Sequence, residues 1–96
     1  MFVVSLTYTC KLSKIEEHLD AHIKYLEQQY KNGVFLASGR KEPRTGGVIL
    51  ARAESLVALE TILSVDPFKI NGLAKYEITE FIPTKTSVEL EFLQNQ

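Results

Sequence analysis

Asn32-Gly33-Val34-Phe35-Leu36-Ala37-Ser38-Gly39-Arg40-Lys41-Glu42-Pro43-Arg44-Thr45-Gly46-Gly47-Val48-Ile49-Leu50-Ala51-Arg52 is the stretch on which the fold turns. Asn32-Gly33 reads as a helix stop, because both residues tolerate the left-handed conformation that closes a helix. Val34 to Gly39 and Gly47 to Arg52 are apolar enough to be strands. Between them Lys41 to Gly46 forms an exposed, basic loop, which Pro43 and the glycines mark as a hairpin connection. Two consecutive strands therefore occupy the middle of the chain, and the flanking segments decide what they belong to.

On the N-terminal side, Phe2 to Thr9 alternates, with Phe2, Val4, Leu6 and Tyr8 on one face and Val3, Ser5, Thr7 and Thr9 on the other, a strand pattern. Ser13 and Glu16 have capping-box spacing, which predicts a helix from about Lys14 to Lys31. Its apolar stripe is Ile15, Leu19, Ile23, Leu26 and Tyr30. On the C-terminal side, Ser55 can cap a second helix carrying Leu56, Leu59, Ile62 and Leu63. That helix ends before Asp66-Pro67, since proline disfavours helical geometry in the residue before it. After Asn71-Gly72, a fourth strand is predicted from about Lys75 to Ile82, ended by Pro83.

The order is β-α-β-β-α-β. Right-handed crossovers then place both helices on one face of a four-stranded antiparallel sheet, an α+β, ferredoxin-like architecture. The tail from Ser87 to Leu93 alternates Val88, Leu90 and Phe92 with Glu89 and Glu91, and predicts an extra edge strand. Val3 and Phe81 keep the uncovered sheet face from being purely polar, so a homodimer is expected, with the second subunit covering that face.

Ninety-six residues with 45% apolar and 24% charged side chains suit one globular domain spanning 1–96. Cys10 is the only cysteine, which excludes an intrachain disulfide and points to a reducing, cytoplasmic setting. The net charge of −1 offers no surface for a phosphate backbone, so nucleic acid is not an expected partner. The apolar run from Met1 to Leu6 is far shorter than the roughly 20 residues needed to span a bilayer. It reads as a strand, so neither a targeting signal nor a membrane association is expected.

Among residues able to carry chemistry, His22 stands out because it falls inside the apolar stripe, where an imidazole must find a partner. It is either a structural histidine bonded to a carbonyl or a general acid-base, a role that needs an orienting carboxylate. Asp66 is the candidate for that carboxylate. At the C-terminal end of the second helix its charge needs compensation, although an Asp before Pro can also simply start a turn. His18 and His22 have H-x-x-x-H spacing, yet no third ligand is evident and no metal is assigned. Ser38, Gly39 and Arg40 end the second strand, where Gly39 allows close backbone approach and Arg40, with Arg44, can meet an anion. No phosphate-binding glycine motif is present and no cofactor is assigned. Cys10 reads as incidental.

Taken together, Phe35-Leu36-Ala37-Ser38-Gly39, Gly46-Gly47-Val48-Ile49-Leu50-Ala51-Arg52-Ala53, Asp66-Pro67-Phe68 with Gly72-Leu73, and Tyr76-Glu77-Ile78-Thr79-Glu80-Phe81 resemble the YCII-related (YciI-like) family. The resemblance runs from Phe2 to about Lys85. It implies a ferredoxin-like fold, dimerisation in the manner of the dimeric α+β barrels, and an active site built on a histidine and an aspartate, here His22 and Asp66. One group of the family resembles a dehydrochlorinase of chlorinated hydroxyhydroquinones, and related barrels include muconolactone isomerases. Such relatives imply proton-transfer or elimination chemistry without a cofactor. Arg40 departs from the proline often found after the strand-two glycine, and so bears on substrate identity.

The leading expectation is a small enzyme in which His22 and Asp66 form a proton-transfer dyad, while Ser38, Gly39 and Arg40 hold a small anionic substrate for elimination, isomerisation or hydrolysis. The alternative is a non-catalytic ligand-binding or accessory dimeric module, and fold alone does not choose between the two.

Overall fold

Strand β1 (Phe2–Tyr8) lies inside a four-stranded antiparallel sheet, between β3 (Gly46–Ala51) and β4 (Ala74–Glu80), with β2 (Phe35–Arg40) on the far edge of β3. The computed structural model describes residues 1–96. Strand order β2-β3-β1-β4 is the ferredoxin-like arrangement, as the sequence predicts.

The alternation of β1 sets the core. Phe2, Val4 and Leu6 are buried, and Val4 sits opposite Ile49 on one neighbour and Ile78 on the other, so these side chains share one face. Onto that face pack α1 (Leu12–Glu17), α2 (Leu19–Lys31), α3 (Leu56–Leu63) and the single turn α4 (Pro67–Ile70). Ile15, Tyr25, Leu59, Leu63 and Phe68 join the strand residues in one continuous core. Each fully buried aliphatic or aromatic side chain there contributes about 1.5–3 kcal/mol of transfer free energy. No helix is long and apolar enough to cross a membrane.

Glycines act at two kinds of place. Gly33 and Gly72 close α2 and α4 with φ of +75° and +65°, and only Gly adopts that conformation without penalty. At Gly46, a Cβ would lie 1.7 Å from the carbonyl oxygen of Leu6, so β3 approaches β1 closely only because no side chain is present.

Two expectations are corrected. The predicted helix over Lys14–Lys31 is two helices, broken at His18 (φ −109°, ψ 5°), and Lys11, which makes no side-chain bond, takes the N-cap position in place of Ser13. Ser13 lies within the first turn, where its hydroxyl is not placed to cap. The break also turns the buried face of α2 onto His22, Tyr25 and Gln29, leaving Ile23 42% and Tyr30 39% exposed.

The tail is not a strand, and no fifth strand joins the sheet: Val88–Leu93 forms a 3₁₀ helix. Its alternating pattern lost to local bonding. Leu90, Gln94 and Gln96 donate to the carbonyls of Ser87, Glu91 and Leu93, Asn95 donates to Pro83, and Leu93 is drawn into the core. Between α3 and β4 the structure adds α4, a helical turn over Pro67–Ile70 to which the sequence assigns no element.

Candidate active site

Pro67 dictates the geometry around Asp66. It forces its predecessor into extended backbone (φ −63°, ψ 127°) and opens α4 at the position where a missing N–H costs nothing. Asp66 thereby becomes an N-cap, its Oδ1 accepting the Phe68 N–H at 3.0 Å. It follows the end of α3, as the sequence implies, but the helix start after it supplies a donor to its charge. The residue is completely buried.

A buried carboxylate persists only when its lone pairs are occupied. Two further donors do this: His22 Nδ1 reaches Asp66 Oδ1 at 2.7 Å, and the Tyr76 hydroxyl donates to Oδ2 at 2.5 Å. Burial, then the hydrogen bond to Asp66 and its negative charge, push the Tyr76 phenol above its ordinary range. Tyr25 is raised as well, by burial first and the Asp66 charge second, while its hydroxyl donates to the Ile62 carbonyl at 2.9 Å. Both phenols stay protonated.

His22 is held on its face as well as its edge. Its ring lies parallel to Phe68, with centroids 3.9 Å apart and planes 5° from coincidence. With Nδ1 committed to Asp66, Nε2 is the remaining polar atom; it has no partner within the protein and is not sealed from solvent. His22 lines a cleft of about 310 Å³, the size of a small-molecule site.

The cleft is apolar within and basic at its rim. Leu19, Ile23 and Leu26 of α2 face it across Leu6, Tyr8 and Phe68, which explains why the predicted apolar stripe is only half buried. Ser38 and Arg40 reach the cleft because of a β-bulge. Phe35 pairs with Ala51 and Ala37 with Leu50, so Leu36 is an extra residue. Without it, Ala37 and Gly39 would follow Phe35 onto the helix-covered face; with it, Ser38 and Arg40 do, opposite Ile49 and Gly47.

Ser38 Oγ is 2.6 Å from the Tyr30 hydroxyl. At the mouth, Arg44 Nη1 lies 3.4 Å from Glu16 Oε1, and Arg40 Nε lies 3.7 Å from Glu42 Oε1 in a pair largely open to water. Both pairs are long and solvated, so neither commits its arginine strongly. Gly39 lines the cleft, although a Cβ there would meet nothing within 4 Å. The close backbone approach assigned to Gly39 by its sequence position occurs instead at Gly46.

The structure therefore brings His22 and Asp66 together and sets Ser38, Gly39 and Arg40 along the same cleft. His18 is separate: its Nδ1 lies 3.5 Å from Asn71 Nδ2, and no group of three or more His, Cys, Asp or Glu side chains converges anywhere. Cys10 donates weakly to the Leu73 carbonyl at 3.6 Å. Sequence reading missed Tyr76, Tyr25 and the stacking role of Phe68. A signal for Tyr76 exists, since it shares the inward parity of Ile78, and a tyrosine on an inward row needs a buried acceptor.

The YCII-related domain family matches residues 1–82. No curated protein sequence matches the chain. Among solved structures it is similar to 5-chloro-2-hydroxyhydroquinone dehydrochlorinase from Burkholderia phenoliruptrix in complex with 2,5-dihydroxybenzoquinone, with a TM-score of 0.73 and 20% identity over 83% of this chain and 91% of that one. At that identity the likeness establishes a common fold.

Proposed function

Starting from the fact that the chain belongs to the YCII-related family, we propose that it is a cofactor-independent enzyme that moves a proton on a small, anionic, largely apolar molecule. The observation that carries this reading is the division of labour on one imidazole: Nδ1 is 2.7 Å from a fully buried carboxylate, and Nε2 is left to an accessible cleft.

In neutral His22, the proton sits on Nδ1 and is donated to Asp66. The Nε2 lone pair then faces the substrate as a general base. When Nε2 takes a proton, the ring becomes an imidazolium beside the Asp66 carboxylate, which stabilises the charge where it forms. The same Nε2–H can return the proton to another substrate atom, so elimination, isomerisation and hydrolysis are all open to the pair. General base action of this kind contributes about 10²–10⁴-fold in rate. Arg40 and Arg44 would hold the anionic end, and Ser38 would supply a hydroxyl at the β2 end of the cleft. The similar dehydrochlorinase was solved with a planar dihydroxyquinone, which fits this class of ligand.

The test uses that quinone. Titrating the ¹⁵N-labelled chain with 2,5-dihydroxybenzoquinone should perturb His22, Ser38 and Arg40 together. Perturbation scattered over other surfaces, or none at millimolar ligand, counts against the reading. Once a turnover assay exists, His22→Ala should abolish activity with the fold retained.

A homodimer belongs to the same proposal. Val3, Val48 and Leu50 lie on the sheet face the helices leave open, and Val88, Leu90 and Phe92 of the tail are 45–81% exposed. A second copy would cover them. Sedimentation equilibrium at micromolar concentration should return twice the chain mass.

A further inference from the structure

Of the three hydrogen bonds that Asp66 accepts, one comes from the imidazole that lines the cleft. Phe68 N–H and His22 Nδ1 share Oδ1, whereas Oδ2 is bound by the Tyr76 hydroxyl alone. Tyr76 comes from β4, opposite Leu6 in the register, so it approaches Asp66 from the sheet while His22 approaches from α2. Tyr76 has no place in the cleft wall.

A carboxylate this deeply buried, with one oxygen undonated, has three ways to relieve itself. It can rotate, take up a proton, or draw the imidazole into another tautomer. Each would spoil the arrangement that leaves Nε2 free as a base. Resting on the reading of His22 as the proton-transfer group, we propose that Tyr76 is a positioning residue: its hydroxyl fixes Asp66 Oδ2 so that Oδ1 holds the His22 proton on Nδ1.

The donor is suited to the task. The Tyr76 phenol is held neutral by burial and by Asp66, so it gives a hydrogen bond without delivering its proton. Lys69 Nζ lies over its ring face, 4.8 Å from the centroid, a cation–π contact that leaves the hydroxyl free to serve Asp66. Tyr25 serves as an internal control, because its hydroxyl is committed to the Ile62 carbonyl and donates no hydrogen bond to Asp66.

The experiment reads the His22 imidazole directly, with no need for a substrate. In the full chain labelled with ¹⁵N-histidine, long-range ¹H–¹⁵N spectra recorded at mildly alkaline pH distinguish the Nδ1–H from the Nε2–H form. The unaltered protein should show the Nδ1–H form with a low-field, slowly exchanging Nδ1 proton. Tyr76→Phe should bring in a population of the Nε2–H form and lose the slow exchange, while Tyr25→Phe leaves both unchanged. Should Tyr76→Phe fail to fold, 3-fluorotyrosine placed at position 76 keeps the shape, makes the phenol a stronger donor, and should shift the Nδ1 proton resonance. A folded Tyr76→Phe with the His22 spectrum intact, a fluorinated protein with no shift, or an equal response to Tyr25→Phe overturns the proposal. These results are separable from the function itself. If the spectrum responds but His22→Ala costs no activity, the enzymatic reading fails and the positioning stands.

Discussion

The imidazole of His22 divides two unlike regions. Behind it, the fully buried Asp66 is cradled by Tyr76 and the Phe68 backbone through short, directed hydrogen bonds, and the Phe68 ring lies flat against the imidazole. In front of it, Arg40, Arg44, Glu16 and Glu42 make long, solvated pairs around an apolar cleft. A buried polar group is costly unless matched, so the rear cannot be loosened without a penalty. An exposed ion pair is worth little, so the front can exchange a glutamate for a ligand at small cost. The contrast is that of a fixed proton-handling centre with an adaptable anion rim.

The strongest way to break the cradle is Asp66→Ala. It strands the His22 Nδ1–H, the Phe68 N–H and the Tyr76 hydroxyl together, and should destabilise the protein by about 3–5 kcal/mol in urea denaturation. A loss below about 1 kcal/mol would mean that the three donors find other partners, and that the cradle is less rigid than its geometry indicates.

Alkaline pH probes the same region more gently. Tyr76 and Tyr25 hold their protons more tightly when folded than when unfolded, so above the ordinary tyrosine range near pH 10 the unfolded chain binds fewer protons. Stability should be unaffected by these groups below that pH and fall progressively as pH rises past it. Phenolate absorbance should accordingly show two of the four tyrosines ionising only as the protein unfolds. Early ionisation of all four in folded protein would contradict the burial.

The smallest effect on stability belongs to the rim. Arg40→Ala and Arg44→Ala should each change unfolding free energy by no more than about 0.5 kcal/mol. If the rim binds anions, the same changes should weaken 2,5-dihydroxybenzoquinone binding measurably, and the double variant more than either alone. Undiminished binding in the double variant would move anion recognition to another part of the cleft.

Much of the cradle was legible before folding was considered. The sequence marks His22 as a polar residue on an apolar helix stripe and Asp66 as a charge at a helix end fixed by Pro67, and the structure brings those two within 2.7 Å. Tyr76 was hidden because alternation places a tyrosine on an inward row without saying what its hydroxyl meets. Ser38 and Arg40 were named from their position at a strand end, but the bulge at Leu36 that aims them depends on how β2 registers against β3. The tail misled because an alternating pattern records only which side chains are apolar. It cannot say whether a neighbouring strand edge is within reach.

From its sequence alone this chain specifies the order β-α-β-β-α-β, the inward row of β1 and the breaks at Asn32-Gly33 and Pro67, all properties of local periodicity and backbone stereochemistry. Tertiary packing decided the bulge at Leu36 that aims Ser38 and Arg40 and the three-donor hold on Asp66. Those depend on which groups meet across tens of residues, and hydrogen-bond satisfaction in a buried site is settled only when the partners from α2, α4 and β4 arrive together.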